Sequence, residues 1–267
     1  MLMAVKNNVR FFLGALKVSV LSAAEYKSSF IIQTLFMFIN NGFFLVFWNV
    51  VFGVNDGAAN GLEFNGILYL WSIPVISYGV TYFFFGGVQN LNTFIITGQM
   101  DSYMLQPKYP LLNVLTSKCT FSAFGDILYG VVIGFIATGH DIKKMLLVLF
   151  LGCFGSIFYI SVEVIFRSLS VWLKDTEKIS TKYVHSFMTT FSSYPNEIFS
   201  KGVKILLFTV VPASYFSHFP IKLLEEFKTS TFVLILVAGF VYLFIAILVF
   251  NKAMKSYESG NSISMRM

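Results

Sequence analysis

Twenty consecutive residues, 231–250, carry no charged side chain and only two hydroxyls, those of Thr231 and Tyr242. A helix of that length reaches about 30 Å, the thickness of a bilayer's hydrocarbon core, and satisfies its backbone polar groups within itself. Lys228 and Lys252 close the run on either side, where a membrane's polar boundary would lie. Further apolar stretches over 30–54, 66–88, 112–139 and 145–173 are each long enough to span, although the third contains Lys118 and Asp126 and the fourth Glu163. Pro74 predicts a kink in the second. In the first, Gln33, Asn40, Asn41 and Asn49 mark a face turned towards protein. Composition agrees: 56% of the residues are hydrophobic and 12% charged, about half the charged fraction of a soluble domain. A soluble core of this size cannot hide so much apolar surface.

Between 174 and 228 the pattern allows two threadings. Apolar pieces at 184–194 and 203–216 flank Pro195-Asn196-Glu197. Either 180–196 crosses and 197–224 dips into the membrane and returns, or 200–218 makes the crossing. Each version adds one span, within 180–218, to the five above. The sequence therefore predicts an all-α integral membrane protein, a single transmembrane domain over 1–267 with six spans and a tail over 251–267. Ahead of the first span, Lys6 and Arg10 before an apolar run imitate a secretory signal, but Lys17 interrupts the run and several spans follow. With Lys6, Arg10 and Lys17 on one side, 4–26 is predicted to be an interfacial helix on the inner leaflet.

Charge gives the orientation. With the N-terminus in the cytoplasm, thirteen Lys and Arg residues fall inside and six outside, and the outer loop 55–65 has Asp56 and Glu63 but no basic residue. That asymmetry predicts cytoplasmic N- and C-termini. The net charge of +6 is scattered between apolar runs and forms no basic patch, so nucleic acid is excluded as a partner. Cys119 and Cys153 sit in apolar stretches and read as small buried hydrophobes; His140, His185 and His218 lie far apart, so no metal site is predicted. The chain has no GxxxxGK[ST] cradle and no GxSxG elbow. Energy for any transport must come from a gradient or another chain, and no catalytic residue is expected.

Two acids lie within spans, each costing roughly 2.5–3.5 kcal/mol at bilayer depth on insertion scales. Asp126 falls near the middle of the third span, with no partner three or four residues away; Glu163 has Arg167 at i+4. Either acid reads as a cation or proton relay or as a packed, satisfied group. The segment 89–111 is too polar to span and too apolar for a tether. Gly98 would break a helix, Asp101 or Ser102 would cap the next, and Pro107 and Pro110 would stop it.

The run Thr97-Gly98-Gln99-Met100-Asp101, followed by Met104-Leu105-Gln106-Pro107, resembles the loop after the second span in permeases of type-2 ATP-binding-cassette exporters. Ser193-Tyr194-Pro195, Val211-Pro212-Ala213 and Phe219-Pro220 resemble the segment between spans five and six in one branch of that class, and Tyr257 to Asn261 its C-terminal ending. The likeness covers nearly the whole chain. It implies a permease paired with a second permease chain, identical or related, and with two ATPase subunits that carry the ATP and magnesium. Thr97, Gly98, Gln99, Asp101, Met104, Leu105 and Pro107 would meet those ATPases, together with the N-terminal helix and the loop at 174–182. A re-entrant outer segment would contain Tyr194, Pro195, Pro212 and Pro220. Pro74, Tyr78, Tyr82 and Phe191 would line the path between the permeases, along which an amphipathic drug, antimicrobial peptide or lipid would leave a bacterial cell's plasma membrane. The competing reading is a gradient-driven secondary transporter using Asp126 and Glu163, although no inverted repeat is visible.

Overall fold

The computed structural model describes residues 10–14, 17, 18, 21, 27–54, 64–173 and 177–258, and within them the chain is helical with no strand. Of the predicted interfacial helix over 4–26, only residues 10–14, 17, 18 and 21 are described, and these are helical; most of the outer loop and residues 259–267 lie outside the described residues. Helix α1 covers Lys27–Val54 and α2 covers Phe64–Phe85. After a 3-10 turn at Gly86–Asn90 come three short helices, α3 (Leu91–Ile96), α4 (Met100–Met104) and α5 (Pro110–Leu115). Then follow α6 (Ala123–Ala137), α7 (Ile142–Ser168) and α8 (Glu177–Ser193). Three further short helices, α9 (Lys201–Thr209), α10 (Ala213–Phe216) and α11 (His218–Glu225), lead into α12 (Thr229–Lys255).

Among the described residues four helical stretches are long and apolar enough to cross a membrane: Lys27–Val51, Gly66–Ile96, Ile142–Val171 and Thr229–Lys255. The pair Lys201–Thr209 and Ala213–Glu225, bent by 75°, would make a fifth if taken as one span. The stretch 112–139 is not continuous. Thr116 Oγ1 and Ser117 Oγ turn back onto the carbonyls of Leu112 and Val114, 2.8 and 2.7 Å away, and compete with helix propagation. Lys118 stays exposed, and Thr120 N donates to Tyr82 O at 3.0 Å. So α6 has 15 residues, about 22 Å of helix. Asp126 consequently sits in its first turn and not at mid-span.

α2 is the centre of the bundle. Its 18-residue apolar window is 72% buried, against 6% for α1, because α6 and α7 pack along it. Small residues permit the approach: a Cβ on Gly79 would stand 2.8 Å from the backbone nitrogen of Ile127, and one on Gly130 or Gly152 would come 2.6 Å from a methyl or methylene carbon of Ile76. Serines cross the same seams. Ser72 Oγ donates to Gly130 O and Ser77 Oγ to Gly152 O, both at 2.9 Å. α12 packs on α7 through Gly239, which faces the Phe154 ring, and otherwise exposes Val237, Phe240, Val241 and Phe244. Such a face suits lipid.

Two sequence expectations about buried faces are corrected. Of the four amides in the first span only Asn41 is buried; Gln33, Asn40 and Asn49 are exposed, Gln33 bonding Ser29 on its own helix. The residues do not share a stripe, since 33 and 49 fall on different sides from 41 at 100° per residue. Cys153 is also exposed, on the outer face of α7, and Cys119 is half-buried in the break before α6.

Candidate functional site

The short helices after α2 form a platform at one end of the bundle. Leu91, Ile95 and Met100 point into a core that also holds Val88, Leu111, Val114, Val164 and Phe250. Gly98, between α3 and α4, has φ of 75°, a left-handed turn that a side chain disfavours. The start of α4 is not capped by Asp101 or Ser102: its N-cap is Gln99, Asp101 lies in the first turn, and Ser102 Oγ bonds back to Gln99 O at 2.7 Å. Pro110 opens α5, where its missing N–H loses no helical bond. Three other parts of the chain brace this platform. Phe12 stacks on Phe85 with ring centroids 5.5 Å apart, and Lys108 Nζ lies over the Phe11 ring. Tyr109 donates to Asn251 Oδ1 at 2.7 Å. Burial and the neighbouring Asp101 push the Tyr257 phenol up to about 12. With its inner side fixed, the platform leaves Thr97, Gln99, Met104, Leu105 and Pro107 exposed, Leu105 at 86%. Met104, 42% exposed, and Leu105 stand next to each other and leave an uncovered apolar tip on this anchored loop.

The platform's root is tied to α7 by a buried ionic cluster. Arg167 and Glu163, 2% and 0% exposed, pair through Nε and Oε2. Arg167 Nη1 also donates to Gln89 O at 2.7 Å and to Asn92 Oδ1 at 3.1 Å. Tyr82 donates to Glu163 Oε1 at 2.7 Å, and its oxygen stands 3.1 Å from His185 Nδ1. Because the tyrosine proton is committed to the carboxylate, hydrogen-bond logic assigns the proton of that second contact to His185 Nδ1, leaving Nε2 as an acceptor. The cluster thus joins α2, the Gly86–Asn90 turn, α3, α7 and α8.

Above this cluster lies a half-open cleft of about 280 Å³ lined from α1, α2, α6, α7 and α8. Pro74 and Tyr78 stand in its wall with Asp126, Asn41, Trp71 and His185. Tyr82 lies below, within the ionic cluster, and Phe191 is half-buried against Phe187 and Phe199 outside the lining. Asp126 is 4% exposed; Asn41 Nδ2 donates to its Oδ1 at 2.8 Å, and Tyr129 donates to Asn41 O at 3.0 Å. Neither Asn41 nor His185 was singled out for this site from sequence. The sequence shows no metal-ligand pattern around His185, yet His185, Thr189, Ser192 and Ser193 recur at helical spacing on one face of α8. Among the described residues no group of three or more His, Cys, Asp or Glu side chains could hold a metal ion.

Beyond α8 the chain folds back on itself. Tyr194 packs its ring 6.0 Å from Trp48, Pro195 is buried, and Asn196 Nδ2 donates to Ser214 Oγ at 3.0 Å, bringing the 194–196 turn against α10. Pro212 is the N-cap of α10 and Pro220 is buried within α11.

A family model described as ABC-2 family transporter protein matches residues 36–261 of this chain. No curated protein and no solved structure gives a significant match.

Proposed function

The chain belongs to the ABC-2 transporter family and is the membrane component, not the ATPase, of an ATP-binding-cassette transporter, and on that premise we propose that it is the permease of an exporter in a bacterial plasma membrane. Two permease chains, identical or related, associate with two ATPase subunits that bind the ATP and magnesium. The whole chain is one transmembrane domain with six crossings: α6 and α8 join the four long apolar helices, and residues 194–225, which include α9 to α11, form a re-entrant outer segment containing Tyr194, Pro195, Pro212 and Pro220. Both termini are cytoplasmic, so the platform over 86–109 lies on the inner side, where an ATPase can reach Thr97, Gln99, Asp101, Met104, Leu105 and Pro107. ATP binding draws the ATPases together, pushes the platforms and opens an outward path for an amphipathic substrate. A nucleotide can drive that change only through its different affinity for the two states.

The observation that supports this reading, beside the family match, is the exposed apolar tip at Met104 and Leu105 on a platform whose other face is locked to Phe11, Phe12, Asn251 and the Arg167 cluster. The experiment is co-purification of the chain with its ATPase and assay of ATP-driven uptake into inside-out vesicles. A cysteine at position 105, in a variant without Cys119 and Cys153, should react with an impermeant maleimide in inside-out vesicles and not in intact cells. Transport that continues without ATP and stops when the proton gradient is dissipated would refute the proposal in favour of a gradient-driven carrier.

A further inference from the structure

The cleft between α1, α2, α6, α7 and α8 has two buried polar atoms on its lining residues that have no hydrogen-bond partner: Asp126 Oδ2 and Trp71 Nε1. An unpaired polar atom away from water is costly, so a ligand that supplies a partner to either atom gains by it. The rest of the wall narrows what that ligand can be. Thr189 Oγ1 gives its hydrogen to His185 O at 2.6 Å, and Ser192 and Ser193 give theirs to Thr189 O at 3.1 and 2.5 Å. Both amide hydrogens of Asn41 are committed, to Met37 O and Asp126 Oδ1. His185 keeps Nε2 as an acceptor, since Nδ1–H is held by Tyr82. In these groups the hydrogens are committed within the protein and lone pairs remain, while Asn40, Tyr78 and Tyr159 add an amide and two hydroxyls to the wall. No Lys or Arg lines it, so the carboxylate has no cationic neighbour in the wall. Around it stand the rings of Trp71, Tyr78 and Tyr159, whose faces attract cations.

We propose that this cleft binds a protonated amine carried on an apolar body, the ammonium donating to Asp126 Oδ2 and the surrounding lone pairs, and an acceptor on the same molecule taking the Trp71 N–H. The volume of about 280 Å³ is at the small end of ligand pockets, enough for the head of an amphiphile whose apolar part leaves through the open side. Two sources offer this chemistry: a diffusible cationic amphiphile, which the proposed exporter would carry, and the ammonium of a phosphatidylethanolamine headgroup. The assignment of the ligand as cargo rests on the exporter reading; the binding site does not.

The test uses the purified full-length permease in phosphatidylglycerol nanodiscs without any ATPase. The probe is N-dansyl-1,6-diaminohexane, a primary ammonium on an apolar fluorophore, compared with its neutral N-acetyl derivative. The amine should bind saturably, the neutral derivative at least about tenfold more weakly, and Asp126→Asn should lower amine affinity at least about tenfold while leaving the neutral derivative unchanged. Trp71→Phe should cost about threefold to tenfold and serves if Asp126→Asn does not fold. Glu226→Gln, which removes an exposed carboxylate paired with Lys228, should change nothing. Displacement of the probe by phosphatidylethanolamine identifies the headgroup as occupant, and undiminished binding in its presence identifies a diffusible amphiphile; both keep the ammonium site. Equal affinity for the two probes, or for Asp126→Asn and the parent, overturns it. Because no ATP is involved, loss of the exporter reading through gradient-driven transport would leave this result standing.

Discussion

Replacing Arg167 with Met tests how the platform is held to the bundle. Met fills much of the volume of the arginine stem but supplies no donor, so three contacts go at once: to Glu163 Oε2, to Gln89 O and to Asn92 Oδ1. Glu163 is 0% exposed and, among the described residues, keeps Tyr82 as its partner. Removing one member of such a buried pair costs about 3–5 kcal/mol, because the remaining charge stays out of water. Glu163→Gln also breaks the pair, yet Arg167 retains two carbonyl acceptors, so this variant should lose less, about 2–3 kcal/mol. In Arg167→Met with Glu163→Gln no charge is left behind. The double variant should then lie near or above Arg167→Met alone in stability, a coupling of at least about 2 kcal/mol between the two positions. The assay is unfolding of the purified protein by SDS in mixed micelles, followed by far-UV circular dichroism. Additive losses, or an Arg167→Met variant within about 0.5 kcal/mol of the parent, would refute the claim that this cluster is a desolvated structural tie.

Gly79→Leu should abolish or severely lower the yield of folded protein, since the new Cβ would collide with backbone atoms of Ile127 and Ala123 that cannot move aside; Gly202→Leu, with open space around it, should fold normally, as size-exclusion profiles will report. Asn41→Leu removes the amide donor on Asp126 and should cost about 1.5–3 kcal/mol in the same SDS titration, with Asp126→Asn in that background recovering part of the loss. Leu105→Arg should leave stability within about 0.5 kcal/mol, because the side chain is 86% exposed, while lowering affinity for the ATPase subunit at least about fivefold in a pull-down titration.

Helices whose circumference is apolar were legible in the sequence because lipid demands the same chemistry on every side. α12 appears over 229–255 where the reading gave 231–250, and α1, α2 and α7 start within three residues of their predicted positions. The platform was partly legible, since Gly98 and the prolines act locally; only the caps were misjudged, through Gln99 and the opening role of Pro110. The break before α6 was hidden, because a hydropathy average over 112–139 absorbs Thr116 to Lys118 and does not register that Thr120 N finds its acceptor on Tyr82. The partners of Asp126 and Tyr82 were also hidden: Asn41 lies 85 positions from Asp126, and His185 lies 103 from Tyr82. Such pairs are set by helix packing, which no local pattern contains.

Packing also links the cleft to the platform. Pro74, Tyr78 and Tyr82 recur every four residues along α2, so they form one stripe about 12 Å long on a single face. The stripe begins in the cleft wall and ends at Tyr82, which is bonded to Glu163 and lies four residues before the Gly86–Asn90 turn that opens the platform. His185 meets the stripe from α8, and Arg167 continues it to Gln89 and Asn92. A rigid helix held between α6 and α7 by glycine contacts and serine hydrogen bonds has little freedom to bend between these ends. Displacing the root of the platform therefore requires either moving α2 with its cleft residues or breaking the Arg167 contacts. The first keeps the buried Arg167–Glu163 pair and its partners together, and the second does not, so the energetics favour a motion in which α2 and the platform move together.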